Sequence, residues 1–417
     1  MVYALCIFIL LVLIYIYDYK SFKSGRDSWY YFILIYLILV AGLRYRVGMD
    51  TIGYMNSYDI NPDLHSLNLS IFSENSKYQP LWIIYVAILK TISPSFVLLQ
   101  FSNAIIVNTI IFSFIKRNSR YLFTSLFIYT TVYYLEFNFE IMRESLALSI
   151  FLIAIYYLQR SKWIPYFIIC SICFGFHFSG LFTFIIPLFK KVKINKFTIS
   201  ILFIISMLVY EVAQFTETIL LYLPFQNAKF YTNEYTDNKF TVSLNIRGYI
   251  AYLIINFLIP ISMLLYYKYI YKKQYIFSSF IYSMIIVGLL IVAIPIFSRF
   301  KNYLYIFYVI LLSDVIIRTI KPFKIVIPLP KQSGYPATIS MRQKLKEISP
   351  RRVKFKFATI ILIISLIYIP LFGLYNLRLD LSGYNKNDKN YSRYFPYSSI
   401  LDPQKSRIRE SYVNQTR

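Results

Sequence analysis

A succession of apolar runs, most of them close to the ~20 residues that cross a hydrocarbon core as a helix, constrains this chain more than any other feature. They lie near 2–17, 29–43, 94–115, 121–135, 141–158, 163–189, 197–213, 248–267, 275–297, 302–317 and 357–375. With 58% hydrophobic and only 15% charged residues, the length reads as one bundle of helices and not as two or three soluble domains. The expected fold class is all-α: a polytopic integral membrane bundle, residues 1–417 forming a single transmembrane domain. The first run, "MVYALCIFILLVLIYIY", has no basic start and no small-residue cleavage site, so it is expected to stay as the first span, with the mature chain beginning at Met1.

A net charge of +25 would suit nucleic acid if it were clustered on a soluble face, but it is spread through short connecting loops. More than half of the 44 Lys and Arg fall in "DYKSFKSGRD", "KRNSR", "QRSK", "KKVKINK", "KYIYKKQ" and residues 318–356. By the positive-inside tendency these segments face the cytoplasm, and no nucleic-acid partner is expected. Basic loops on both sides of 163–189 require that run to enter and leave on one side. It is therefore expected to be a hairpin of two short helices, 163–174 and 178–189, bending at Gly175–His177. This gives about 11–12 crossings, with both termini outside. "PLWIIYVAILK" at 80–90 is too short to span and reads as an interfacial or re-entrant helix. The outer face then holds 44–79, the turn "EFNFE" at 136–140, the loop 214–247, the "SRFK" turn at 298–301 and the polar tail 376–417. The basic segment 318–356 is a cytoplasmic loop, either a plain topology anchor or a contact with anionic lipid.

Charge at the edge of a span is costly, and outer-side arginine runs against the topological tendency, so each such residue needs a partner or a task. Arg44 and Arg46 end the second span, Arg143 begins the fifth, Arg247 opens the eighth, and Arg299 lies between the ninth and tenth. Guanidinium groups hold phosphate oxygens bidentately, and several converging on one cavity would suit a diphosphate. The plainer alternative is that each snorkels to headgroups or pairs with Asp50, Glu140 or Glu144. His177 stands in an apolar run at the proposed bend, where a neutral imidazole could take a proton from a hydroxyl; a hydrogen-bonded core histidine is the alternative. Cys6, Cys170 and Cys173 all lie in apolar runs and read as helix-packing residues. No glycine-rich phosphate loop, metal-ligand spacing or nucleophile elbow is present in the sequence, so no metal and no cofactor are expected.

The stretch "RYRVGMDTIGY" (44–54), then "IMRESLALSIFLIAIYYL" followed by a basic turn and "FGFHFSGL", resembles the EpsG/Wzy-type polysaccharide polymerases. A late "SRFKNYLYIFYVILL" and "YFPYSSIL" in the tail are similar too, so the resemblance runs over roughly 30–405. In that family the residue after the second-motif arginine is commonly Gln, where this chain has Glu144. The resemblance implies joining of polyprenyl-diphosphate-linked oligosaccharide repeats on the outer face of the bacterial cytoplasmic membrane, by inverting, metal-independent glycosyl transfer. Carried over by position, it implies a catalytic set of His177, Arg143 and Asp50. The substrate-binding set would be Arg44, Arg46, Tyr54, Glu140, Arg247 and Arg299. Expected partners are the lipid-linked oligosaccharide, the bilayer and other assembly proteins such as a flippase or chain-length regulator. Rival readings are a flippase for the same lipid, a polyprenyl-phosphate-sugar transferase with Asp50 as base, and a membrane acyltransferase.

Overall fold

The computed structural model describes residues 2–68, 70–73, 78–189, 252–271, 275–291, 297–320 and 397–406, with isolated positions at 197, 198, 200, 201, 204, 208, 250, 394 and 410. The expected span 357–375, most of 197–213, the loop 214–247 with Arg247, the cytoplasmic segment beyond residue 320 and most of the tail lie outside the described residues. All regular elements among the described residues are helical. They are α1 (Val2–Leu13), α2 (Arg26–Gly42), α3 (Met49–Ile60), α4 (Pro80–Ile92), α5 (Phe96–Asn118), α6 (Leu122–Val132), α7 (Met142–Gln159), α8 (Trp163–Phe176), α9 (Ile259–Tyr271), α10 (Ser278–Leu290), α11 (Phe297–Asn302) and α12 (Tyr305–Ile320). Wider π turns extend α1 over Ile14–Tyr19, precede α9 over Ile254–Leu258, and form Glu136–Glu140 ahead of α7.

Val2–Tyr19 and Phe96–Asn118 are, among the described residues, the two helices both long and apolar enough to cross a hydrocarbon core. α5 reaches ~34 Å at 1.5 Å per residue, against ~30 Å of hydrocarbon. Helix surfaces stay apolar on the outside: Leu5, Phe8 and Leu11 of α1 are exposed while Cys6, Leu10 and Leu13 are buried, and Ile35 of α2 and Ile164 and Ile168 of α8 are exposed in the same way. Exposed apolar faces of this kind suit a lipid environment. α7 sits at the centre, with Leu148 and Phe151 fully buried and α5, α8 and the Glu136–Glu140 turn packed on it. The buried apolar side chains form one continuous cluster from α1 to α12.

Polar pairs tie the bundle where water cannot. Gln100 of α5 donates from Nε2 to the carbonyls of Gly42 (2.7 Å) and Arg44 (2.9 Å), closing the end of α2. Asp18 accepts from the Thr124 backbone N–H (2.7 Å) and Oγ1 (2.8 Å), capping α6 from another helix. Asn108 of α5 donates to Asn138 Oδ1 at 2.6 Å, which draws the Glu136–Glu140 turn inward. The "EFNFE" turn is buried at Phe137 to Glu140, where that amide network and the Phe side chains hold it in the core. In the expected outer loop, α3 is a regular helix whose last carbonyls (Tyr58, Asp59, Asn61) accept from Lys90 Nζ.

The chain reverses at His177, as the flanking basic loops require. Tyr166 at the start of α8 donates to the Thr183 carbonyl at 2.6 Å, and Phe167 stacks on Phe184. The return limb is helical as expected, a 3-10 helix over Phe178–Phe184 followed by a short α-helical turn, Ile186–Phe189. Gly180 permits the close turn: a Cβ there would lie 2.5 Å from the Cys173 carbonyl carbon and the Phe174 nitrogen. α8 is ~21 Å long, short of the hydrocarbon thickness, so counting the hairpin as two full crossings is not supported by its length.

Candidate functional site

The segment from Leu43 to Gly48 turns sharply between α2 and α3. Gly48 has φ +98, and any Cβ there would meet the Phe139 carbonyl oxygen at 2.4 Å, so only glycine fits. Thr51 Oγ1 donates toward Val47 O (2.8 Å) and Phe139 O (3.0 Å), locking the first turn of α3 onto the Glu136–Glu140 turn. Glu140, itself buried, accepts from the Asp50 backbone N–H at 3.1 Å and supplies negative charge at the helix N-terminus. Asp50 is exposed beside it.

Arg44, expected in a substrate cavity, is turned inward and 2% exposed. Its guanidinium donates to the Ala41 and Val47 carbonyls and approaches Thr51 Oγ1 (3.4 Å) and Met142 Sδ (3.5 Å), 4.7 Å from the Phe139 ring centre. These contacts favour a strut that satisfies the end of α2. Arg46 holds φ +53 and pairs bidentately with Glu410 of the tail. The tail is docked alongside: Tyr45 N–H donates to Ser398 O (2.8 Å), Ile400 N–H to Leu43 O (2.9 Å) and Tyr397 OH to Val40 O (3.0 Å). Both partners of the Arg46 pair are partly exposed, so Glu410→Ala should change the melting free energy of the detergent-solubilised protein by no more than ~1 kcal/mol. A larger loss would show that the pair clamps the tail.

Arg143 opens α7 with its guanidinium 4.4 Å from the Tyr78 ring centre and 5.9 Å from that of Tyr54. Trp82 packs 5.9 Å behind Tyr54. Glu144, the next residue, points elsewhere because successive side chains on a helix diverge by about 100°. It accepts from Arg299 Nη1 (2.9 Å) and Asn302 Nδ2 (2.7 Å), both on α11. The return limb packs on α11 through the Phe182–Phe300 stack at 5.1 Å, and burial first, then the charges of Arg143 and Arg299, push the His177 pKa well below the ordinary histidine value. His177 Nδ1 accepts from the Ser179 backbone N–H (3.2 Å) and lies 2.6 Å from Ser179 Oγ, which is 3.1 Å from Tyr303 OH.

Arg143 stands against Tyr54 and Tyr78, Arg299 is paired with Glu144, and Glu140 accepts from Asp50 at the N-terminus of α3, the helix that also carries Tyr54, while Arg44 and Arg46 contact the tail-docked turn. Arg247 lies outside the described residues. Two buried groups were not singled out in sequence. Tyr303 reaches the histidine through Ser179, and Lys301 donates to Asn256 Oδ1 ahead of α9, its pKa drawn down to about 8 by burial. Their signal was the same "SRFKNYLY" stretch that drew attention to Arg299. No group of three or more metal-ligating side chains occurs among the described residues. Of the comparisons with known proteins, the model of the EpsG family matches residues 28–329. No curated protein and no solved structure matches.

Proposed function

The chain belongs to the EpsG family, and on that premise we propose that it polymerises polyprenyl-diphosphate-linked oligosaccharide repeats. Such family membership supports a role in surface-polysaccharide biosynthesis at a membrane. The observation that carries the finer reading is the Arg143 guanidinium set against the rings of Tyr78 and Tyr54 at the start of α7, with Arg299 held by Glu144 at the next position. Two guanidiniums at the edge of a bundle suit a lipid diphosphate, and aromatic rings suit the apolar faces of a sugar.

In this reading the protein is multi-pass, with the site facing outward from the bacterial cytoplasmic membrane. A sugar hydroxyl of one lipid-linked unit attacks the anomeric carbon of the chain carried on a second. The new C–O bond forms as the anomeric C–O bond to the diphosphate breaks, and the electron pair leaves with the diphosphate oxygen. Arg143 and Arg299 stabilise that developing charge. The hydroxyl proton passes to a carboxylate, for which Glu140 and Asp50 are placed at the N-terminus of α3. A single displacement inverts the anomeric centre.

The exposed Asp50 next to Glu140 also favours a second reading, transfer from a polyprenyl-phosphate monosaccharide with Asp50 as base. A gel of surface polysaccharide from a strain lacking the gene separates the two. Polymerisation predicts loss of long chains with one-repeat product retained. Monosaccharide transfer predicts chains of normal length lacking one sugar, and unchanged polysaccharide would overturn both.

A further inference from the structure

His177 is held by one edge of its ring. A backbone N–H can only donate, so the contact from Ser179 N–H at 3.2 Å makes Nδ1 an acceptor carrying no hydrogen. Ser179 Oγ, 2.6 Å away, completes that side by donating its one proton to Nδ1. The Ser179 oxygen then has only lone pairs left for Tyr303, whose fully buried hydroxyl must donate to it across 3.1 Å. The relay runs in one direction, Tyr303 to Ser179 to His177. An imidazole whose Nδ1 is occupied in this way keeps its hydrogen on Nε2, the opposite edge.

We propose that His177 acts as a fixed hydrogen-bond donor through Nε2–H to a phosphate oxygen of the substrate, and not as a general base, with Ser179 and Tyr303 as the positioning residues that set its tautomer. This rests on the diphosphate-binding reading given above. A base must present a free lone pair to the hydroxyl it deprotonates, and the only lone pair on a neutral ring is here taken by two donors. The charges that act on the ring are those of Arg143 of α7 and Arg299 of α11, both of which disfavour an imidazolium, and Glu144 is bound to Arg299. A neutral donor alongside these guanidiniums adds directionality to the diphosphate site without adding a third charge, and the proton-accepting role falls to Glu140 or Asp50.

The chain has two histidines, so His65→Gln leaves His177 as the only imidazole signal in 15N-histidine NMR of the purified full-length protein. The expected spectrum has a protonated Nε2 and an unprotonated Nδ1, unchanged from about pH 6 to 8, the window in which an ordinary histidine titrates. A protonated Nδ1, a doubly protonated ring or titration in that window would overturn the proposal. Addition of polyprenyl diphosphate in the same micelles should shift the Nε2–H signal. Inorganic diphosphate producing the shift alone would place the contact on the diphosphate and not on the lipid, and no shift with either would remove the ligand contact. In chain-length assays, His177→Gln keeps an N–H where Nε2 stands and should retain activity within ~10-fold, whereas His177→Ala should lose ~10²–10³. Equal loss in both, at equal protein level, would restore the base. The tautomer is read without any polymerisation, so an unaltered polysaccharide in the deletion strain would overturn the polymerase reading and leave this result standing.

Discussion

Arg143→Lys should cut polymer output ~10²–10³-fold while leaving the protein at its normal level in the membrane, the loss typical of removing one preorganised donor to a developing oxyanion. The Tyr78 and Tyr54 rings, 4.4 Å and 5.9 Å from the guanidinium carbon, fix the plane in which its N–H groups lie. Lysine keeps the charge but presents it as a point, with no fork to match two phosphate oxygens. Stability should change little, because cation–π contacts of this kind contribute only ~0.5–2 kcal/mol and lysine retains part of that. Chain length on gels, read beside membrane protein level, tests this. A lysine variant with wild-type chains would demote Arg143 to a headgroup anchor.

Glu144→Ala should be the most destabilising single change within the site. The carboxylate is 1% exposed and accepts from Arg299 and from the buried amide of Asn302, so its loss removes an acceptor from one cation and from one buried donor. Breaking a buried ion pair from one side costs ~3–5 kcal/mol, and the 34% exposure of Arg299 puts this case near the lower end. Thermal melting in detergent should show a drop of several degrees. Glu144→Gln keeps an acceptor for Asn302 and should lose less. If alanine and wild type melt together, the pair does not hold α11 against α7.

The positions of the helices were legible because apolar periodicity is a local property. The runs at 2–17, 29–43, 94–115 and 141–158 became α1 with its π extension, α2, α5 and α7 with ends moved by a few residues. The reversal at His177 was legible for a different reason: two basic loops cannot sit on opposite faces without cost. That the return limb would be a 3-10 helix was not legible, since it follows from how closely residue 180 approaches the backbone of Cys173.

Sequence by itself determined an all-helical bundle with an apolar outer surface, the cationic residues near its ends and a histidine at a bend. Those depend on composition and spacing alone. Tertiary structure decided where each charge points: Arg44 inward onto its own helix end, Arg46 toward the tail, Glu144 onto Arg299 and not Arg143, and Tyr303 onto Ser179 across 124 residues of chain. A long side chain can reach in several directions from one backbone position, and the choice is made by whichever partner the fold brings within hydrogen-bonding distance. In a medium where an unsatisfied polar group costs several kcal/mol, those distant partners decide where each of these side chains is held.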